Sequence, residues 1–335
     1  MKRPIQIGLA IAGTIIGAGF ATGKELLVFF NGGSFFYVIL MIISLVIVAV
    51  TTAIYFTGAK KSGVSTILTI VFTSFSGGCY AIMLACGGQT LYDSVNISYQ
   101  TGIIITYIVT ILIIKFGIEG VYKFNAIATP LIAISLIFIS FVGLSTPVFN
   151  NFSAENFFSP YINAFLYAGY NILAVLPFIS AISKETTKKD GFSGIAFGFL
   201  IVLLTSITIK LLLNNYFSLI SRESIPILKI IGILNPYLSY IYSVVLYGAI
   251  VTTAVNLLFI LTREKGTKSI FLISLPLLLI SFLGFTTLLE KIYTYFGYAG
   301  IVIILVIIGR EANIIKHKIK RRITPWKPRK TPSRI

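Results

Sequence analysis

The chain reads as long apolar runs divided by short polar stretches. A helix needs about 20 apolar residues to cross a bilayer. The pattern predicts ten such helices, at 5–30, 34–57, 66–91, 100–117, 121–145, 161–182, 191–217, 236–262, 268–287 and 290–309. Asn31-Gly32-Gly33 makes the first turn. Asn150-Asn151-Phe152-Ser153, between Pro147 and Pro160, marks the longest loop. The region 218–235 is amphipathic and carries Arg222, Glu223 and Lys229, which predicts an outer-surface loop with a short helix rather than a span. The expected fold class is an all-α integral membrane protein.

Ten spans put both termini on one side, and the basic residues test that arrangement. The N-terminus, the loops near 60, 115–123, 184–189 and 263–268, and the tail from 310 hold 22 of the 27 lysines and arginines. Lys24, Lys210, Arg222, Lys229 and Lys291 are left for the opposite side. Lysine and arginine collect in cytoplasmic loops. The asymmetry therefore predicts cytoplasmic N and C termini in a cell membrane. It also supports the count, because one missed helix would scramble the alternation.

Composition narrows the function. The chain has 335 residues, 56% hydrophobic and 11% charged, with a mean hydropathy of +0.95. A soluble domain carries about 25% charged residues, so nearly all of the mass is expected in the bilayer. The net charge of +17 belongs to the cytoplasmic loops and to a basic tail, 311–335, expected near anionic lipid rather than on nucleic acid. Met1-Lys2-Arg3 before an apolar run resembles a signal peptide start, but no small-residue cleavage site precedes a soluble chain. Cys79 and Cys86 fall on one predicted helix roughly 10 Å apart, too far for a disulfide, and read as packing residues. The sole histidine, His317, lies in the tail, so neither a transition-metal site nor a cofactor is expected. With no intramembrane histidine and almost no intramembrane carboxylates, an enzyme is not expected either. No G-x-x-x-x-G-K-[ST] phosphate loop is present, which argues against an ATP-driven pump.

The candidate chemistry starts at Ala12-Gly13-Thr14-Ile15-Ile16-Gly17-Ala18-Gly19-Phe20-Ala21-Thr22-Gly23, in the middle of the first apolar run. Four of these twelve residues are glycine, each costing about 1 kcal/mol against alanine inside a helix. A break at membrane depth is tolerated only where it is buried in protein or lines a cavity. Glycine and alanine at four-residue spacing also make helix-packing faces. The halves 1–145 and 161–309 each hold five predicted spans, and an odd number gives them opposite orientation. The first span of the second half is irregular too, with Gly169, Asn171 and Pro177 in Phe165-Leu166-Tyr167-Ala168-Gly169-Tyr170-Asn171-Ile172-Leu173-Ala174-Val175-Leu176-Pro177. Broken segments at matching positions of two halves point to a transporter site. The expected architecture is thus one transmembrane domain, 1–310, built as an inverted five-plus-five repeat with helices 1 and 6 broken at mid-membrane.

Gly17-Ala18-Gly19-Phe20-Ala21-Thr22-Gly23-Lys24-Glu25, followed by Phe29-Phe30, resembles the start of the YkvI family of bacterial membrane proteins. That family looks like part of the amino-acid–polyamine–organocation superfamily, with the fold of the bacterial sodium-coupled leucine transporter. Ala12-Gly13…Gly17-Ala18-Gly19…Asn31-Gly32-Gly33 is similar to that transporter's broken first helix and the turn after it. Ala249-Ile250-Val251-Thr252-Thr253 is similar to the run that supplies its second sodium site. The resemblance implies Na+ as coupling ion, held by carbonyls of Gly13, Ile16, Ala249 and Thr252 and the hydroxyl of Thr253. Threonine hydroxyls also bond back to the preceding helical turn. Where the fold's other sodium site uses an asparagine side chain this chain has Phe20, which implies a single coupling ion.

Unpaired N–H groups from Gly17 to Gly23, with Ala18, Gly19 and Phe20 between them, would face a cavity beside a helix N-terminus and favour a carboxylate. Phe165, Tyr167, Gly169, Tyr170 and Asn171 would close over the substrate from the other break. Tyr80, with Gly77, Gly78, Gly87 and Gly88, would line the same pocket. Such a cavity is short of fixed charge and suits a small amino acid or related zwitterion better than a polyamine. Lys24 and Glu25 form an ionisable pair near membrane depth, read either as gate and proton carrier or as side chains snorkelling to water. Lys123 is a further candidate, since a lysine replaces sodium in some sodium-independent relatives. The leading expectation is a secondary active transporter, with a small-molecule substrate and the lipid bilayer as its partners. An amino-acid sensor like the spore-germinant receptor subunits, and a proton-coupled transporter, are the alternatives. Its packing motifs are too generic to set an oligomeric state.

Overall fold

The computed structural model describes residues 3–59, 66–115, 131–132, 134–145, 159–183, 185–262 and 267–323. These residues fold into helices, turns and short connectors. The order is α1 (Arg3–Ile15), α2 (Ala18–Thr22), α3 (Lys24–Phe29), α4 (Phe35–Ala59), α5 (Thr66–Val95) and α6 (Tyr99–Lys115). Then come α7 (Ile134–Leu144), α8 (Ser159–Ser183), α9 (Lys188–Asn215), α10 (Phe217–Ile220), α11 (Pro226–Leu234), α12 (Pro236–Thr262), α13 (Thr267–Ser281) and α14 (Phe285–Ile323). Six of these helices are long and apolar enough to span a membrane: α4, α5, α8, α9, α12 and α14. The stretches Tyr99–Ile114, Ile134–Leu144 and Ile270–Ser281 are shorter apolar helices. The predicted loop at 218–235 holds α11 and the last residues of α10. The ninth predicted span ends early, at Ser281, because Gly284 turns the chain with φ +102° and α14 begins at Phe285. The helix α14 continues to Ile323, so the predicted tail starts as helix.

The helices sort into two groups by their packing. In one, α1 lies against α9, α4 against α8 and α9, and α8 touches α1. In the other, α5 packs on α12, α6 and α13. Between the groups run α2, which touches α12, α11 and α5, and α14, which packs on α8, α5 and α4.

Helices in lipid associate through close packing at small residues, and three such contacts stand among the described residues. Gly8 on α1 faces Gly194 and Gly198 on α9, where an added Cβ would stand 3.0 Å from backbone atoms of both. Gly88 on α5 faces Gly102 on α6. Gly169 on α8 faces the backbone of Gly297, Gly300 and Ile301 on α14.

The break predicted in the sixth span is absent: α8 is continuous from Ser159 through Ser183 with Pro177 inside it. Proline removes one backbone donor and crowds the preceding turn, but neighbouring helices can hold such a segment together. Here α14 and α4 flank α8 along its length. Gly169 serves that packing, and Asn171 Nδ2 donates to the Tyr167 carbonyl one turn back (2.9 Å), which supports the helix instead of loosening it.

Candidate functional site

The first predicted span is broken as its glycines suggest. Gly17 N–H donates to Ile15 O at 2.8 Å, so the Gly13 carbonyl loses the donor a continuous helix would bring it. Gly17 is extended (ψ −171°), and α2 then forms a single short turn, with Ala21 N–H donating to Gly17 O and Gly23 N–H to Phe20 O, both at 3.0 Å. Gly23 joins α2 to α3 at φ +77°, a left-handed conformation that glycine adopts without cost. A Cβ there would also stand 2.8 Å from Ile227 Cγ1 on α11. Two hydroxyls satisfy carbonyls the break exposes: Thr22 Oγ1 donates to Gly19 O (2.7 Å), and Tyr242 on α12 donates to Ala21 O.

Immediately after the break sits Glu25, 1% exposed and thus inside the protein, not at a water interface. Its Oε2 accepts a hydrogen bond from the Tyr170 hydroxyl on α8 at 3.3 Å. The same oxygen lies 2.8 Å from where a Cβ on Gly19 would stand, and Tyr293 Oη on α14 lies 3.0 Å from that point. Gly19 is therefore a gap that lets the carboxylate and the tyrosine approach the backbone. Glu25 Oε1 has no hydrogen-bond partner. Aromatic rings close around this carboxylate. Tyr170 and Tyr293 stack at 4.1 Å, and Phe29 stands 5.3 Å from Tyr167, 6.1 Å from Tyr170 and 6.5 Å from Tyr293. Phe75 on α5 flanks Tyr170 at 5.8 Å. The expectation of a cavity short of fixed charge is thus corrected: its first helix carries a buried carboxylate beside Gly19.

The remaining predicted residues divide. Ala18 and Phe20 are fully buried in α2, and Tyr167, Tyr170 and Asn171 share the inward face of α8. Phe165 is 54% exposed and points away, because it lies on the opposite face of the same helix. Tyr80 is buried, but its hydroxyl is bonded to Thr110 on α6 (3.2 Å), which ties two helices together. Gly77, Gly78, Gly87 and Gly88 meet side chains of α13, α14 and α6 and serve helix contacts. Lys24 is buried and donates from Nζ to Glu223 O at 3.0 Å; it pins α3 to the loop before α11. Lys123 lies outside the described residues.

At the predicted ion site, a Cβ on Gly17 would stand 3.8 Å from Thr253 Oγ1, so the first-helix break approaches α12 at Thr253. The hydroxyls of Thr252 and Thr253 both donate to Ala249 O, at 2.8 and 2.9 Å, and keep oxygen lone pairs free.

Sequence reasoning missed Phe29, Tyr293, Tyr242 and Lys210. Tyr293 shares a helical face with Gly297 and Gly300 (i, i+4, i+7), a signal that was legible. Lys210 is fully buried and donates from Nζ to Phe30 O (2.9 Å) and Gly32 O (2.8 Å), with the Tyr37 ring 5.6 Å away. It holds the turn that ends the first span.

Comparison with known proteins extends the resemblance of the first 35 residues to the whole chain. YkvI of Bacillus subtilis (strain 168), an uncharacterized membrane protein, is 24% identical over 345 aligned positions, which cover 92% of this chain and 96% of YkvI. The chain is similar to this membrane protein over nearly its full length. YyaD of the same organism is 24% identical over 323 aligned positions, covering 89% of this chain and 94% of YyaD. No family model matches the chain. Similarity to YkvI along nearly the full length goes with a multi-pass helical body, and the Gly17–Glu25 segment lies inside it.

Proposed function

We propose that this YkvI-like protein is a secondary active transporter in the cell membrane, with both termini cytoplasmic, that moves a small amine-bearing solute. In this reading the fold is the inverted five-plus-five repeat of the amino-acid–polyamine–organocation superfamily. The two helix groups, α1/α4/α8/α9 and α5/α6/α12/α13, rock against each other around the Gly17–Glu25 break. The observation that carries it is the broken first helix with a buried carboxylate lying between those two groups. Breaks of this kind, at membrane depth, hold substrate and ion in secondary transporters. An ionisable group buried there is by default functional.

Na+ is the proposed coupling ion, bound by the carbonyls of Gly13, Ile16, Ala249 and Thr252 and the hydroxyl of Thr253. The approach of Gly17 to Thr253 supports it. Proton coupling is the second reading, favoured by the unpartnered Oε1 of Glu25. The protein acts as a carrier, not as a catalyst, and needs no cofactor. The test is uptake by proteoliposomes holding the purified chain alone, with an imposed Na+ or H+ gradient and a panel of labelled small amines and amino acids. Accumulation driven by one gradient supports the reading. Binding without any accumulation would favour a sensor.

A further inference from the structure

Glu25 is the only buried carboxylate among the described residues, and it forms no ion pair. The buried lysines nearby are committed elsewhere, Lys24 to the Glu223 carbonyl and Lys210 to those of Phe30 and Gly32. An ionised carboxylate removed from water requires a positive partner and further hydrogen bonds. Among the described residues Glu25 has one side-chain hydrogen bond, from Tyr170, and no ion pair.

The surroundings favour an organic cation. Phe29, Tyr167, Tyr170 and Tyr293 come from three helices, and ring faces attract ammonium groups. Two more buried oxygens on the same face of α8, Tyr167 Oη and Asn171 Oδ1, also lack hydrogen-bond partners. Glu25 Oε1 is open to a primary ammonium, which carries three N–H donors. A substrate carboxylate meets the opposite: the place beside Gly19 where an anion was expected holds Glu25 Oε2, and a second negative charge would be repelled.

We propose that this site binds the ammonium group of a small cationic amine, with Glu25 as its counter-ion and the Phe29, Tyr167, Tyr170 and Tyr293 rings as its walls, and selects such amines over zwitterionic amino acids. The inference rests on the transporter reading above and names the substrate class for it.

The test is thermal unfolding of the purified full-length chain with putrescine, choline, alanine or leucine, in NaCl or KCl, paired with proteoliposome uptake of labelled putrescine and alanine. Putrescine raises the unfolding temperature saturably, and choline, which has no N–H, does so more weakly. Glu25→Gln, which keeps the side-chain shape, weakens putrescine binding by about 30-fold or more, as expected when a buried charge loses its partner. Tyr167→Phe, which keeps the ring, weakens it less and decides the matter should Glu25→Gln fail to fold. Stabilisation and uptake of alanine or leucine, indifferent to Glu25→Gln, would overturn the inference and leave the transporter reading standing. A Glu25-dependent shift with Na+ alone and none with amines would also overturn it. No shift with any solute, together with no uptake, would overturn the transporter reading and the inference with it.

Discussion

The Tyr170 hydroxyl donates to Glu25 Oε2 across 3.3 Å, and through this bond α8 meets the broken first helix at its only buried carboxylate among the described residues. An intramolecular hydrogen bond contributes roughly 0.5–1.5 kcal/mol net, and more where the acceptor is charged. Tyr170→Phe keeps the ring against Phe29 and Tyr293 and removes only the hydroxyl. A loss of about 1–2 kcal/mol in stability is expected, read as a lower unfolding temperature in detergent. An unchanged temperature would show that the bond contributes nothing.

Gly19→Ala brings a methyl to within 2.8 Å of Glu25 Oε2 and 3.0 Å of Tyr293 Oη. Side-chain ends can shift, so the fold is expected to survive while the carboxylate moves. Uptake should fall at least tenfold with little change in unfolding temperature, since a misplacement of about 1 Å can cost a hundredfold where geometry matters.

Gly169→Ala is expected to act on stability instead. Its Cβ would meet backbone atoms of α14, Ile301 N at 2.8 Å among them, and backbone cannot swing aside. Overpacking of this kind costs about 1–3 kcal/mol. Thermal unfolding checks it, and a variant as stable as the parent would show that α8 and α14 can separate freely.

Lys210→Met deletes two charge-assisted hydrogen bonds, to Phe30 O and Gly32 O, and leaves Phe30 O with only the Gly32 N–H. Each bond to a charged group contributes about 1.5–3 kcal/mol. The expected loss is about 2 kcal/mol or more, with Lys210→Arg milder because it keeps a cation in reach. Denaturation of both variants in parallel tests this ordering.

Thr253→Ala removes the hydroxyl that faces Gly17. If Na+ binds there, the stabilisation that NaCl gives over KCl disappears in this variant, because a ligand stabilises only through its affinity for the folded state. Persistence of the Na+ effect would place the ion elsewhere.

Much of this architecture was legible in the residue pattern. Ten spans were expected and six helices among the described residues have bilayer length, while the Gly13–Gly23 glycines do mark the break, with Gly23 at φ +77°. The break predicted at Pro177 failed because flanking helices hold a proline-containing helix together, a tertiary effect no local pattern carries. Within the site, Tyr167 and Tyr170 were legible and Phe165 was not separable from them: which face of α8 turns inward depends on its contacts with α4 and α14. Tyr293 was legible through its helical spacing to Gly297 and Gly300, although it is one of 18 tyrosines. Lys210 was counted only among the five cations left for the opposite side, and only the folded chain brings the carbonyls of Phe30 and Gly32 to it.

The most direct test of the central claim is uptake by proteoliposomes of wild type and Glu25→Gln side by side, with a labelled small amine and an imposed cation gradient. The account predicts gradient-driven accumulation in wild type and its loss in Glu25→Gln, with both proteins folded to the same unfolding temperature within a few degrees. Equal accumulation by the two would contradict the role of Glu25, and no accumulation of any amine or amino acid by wild type would contradict transport itself.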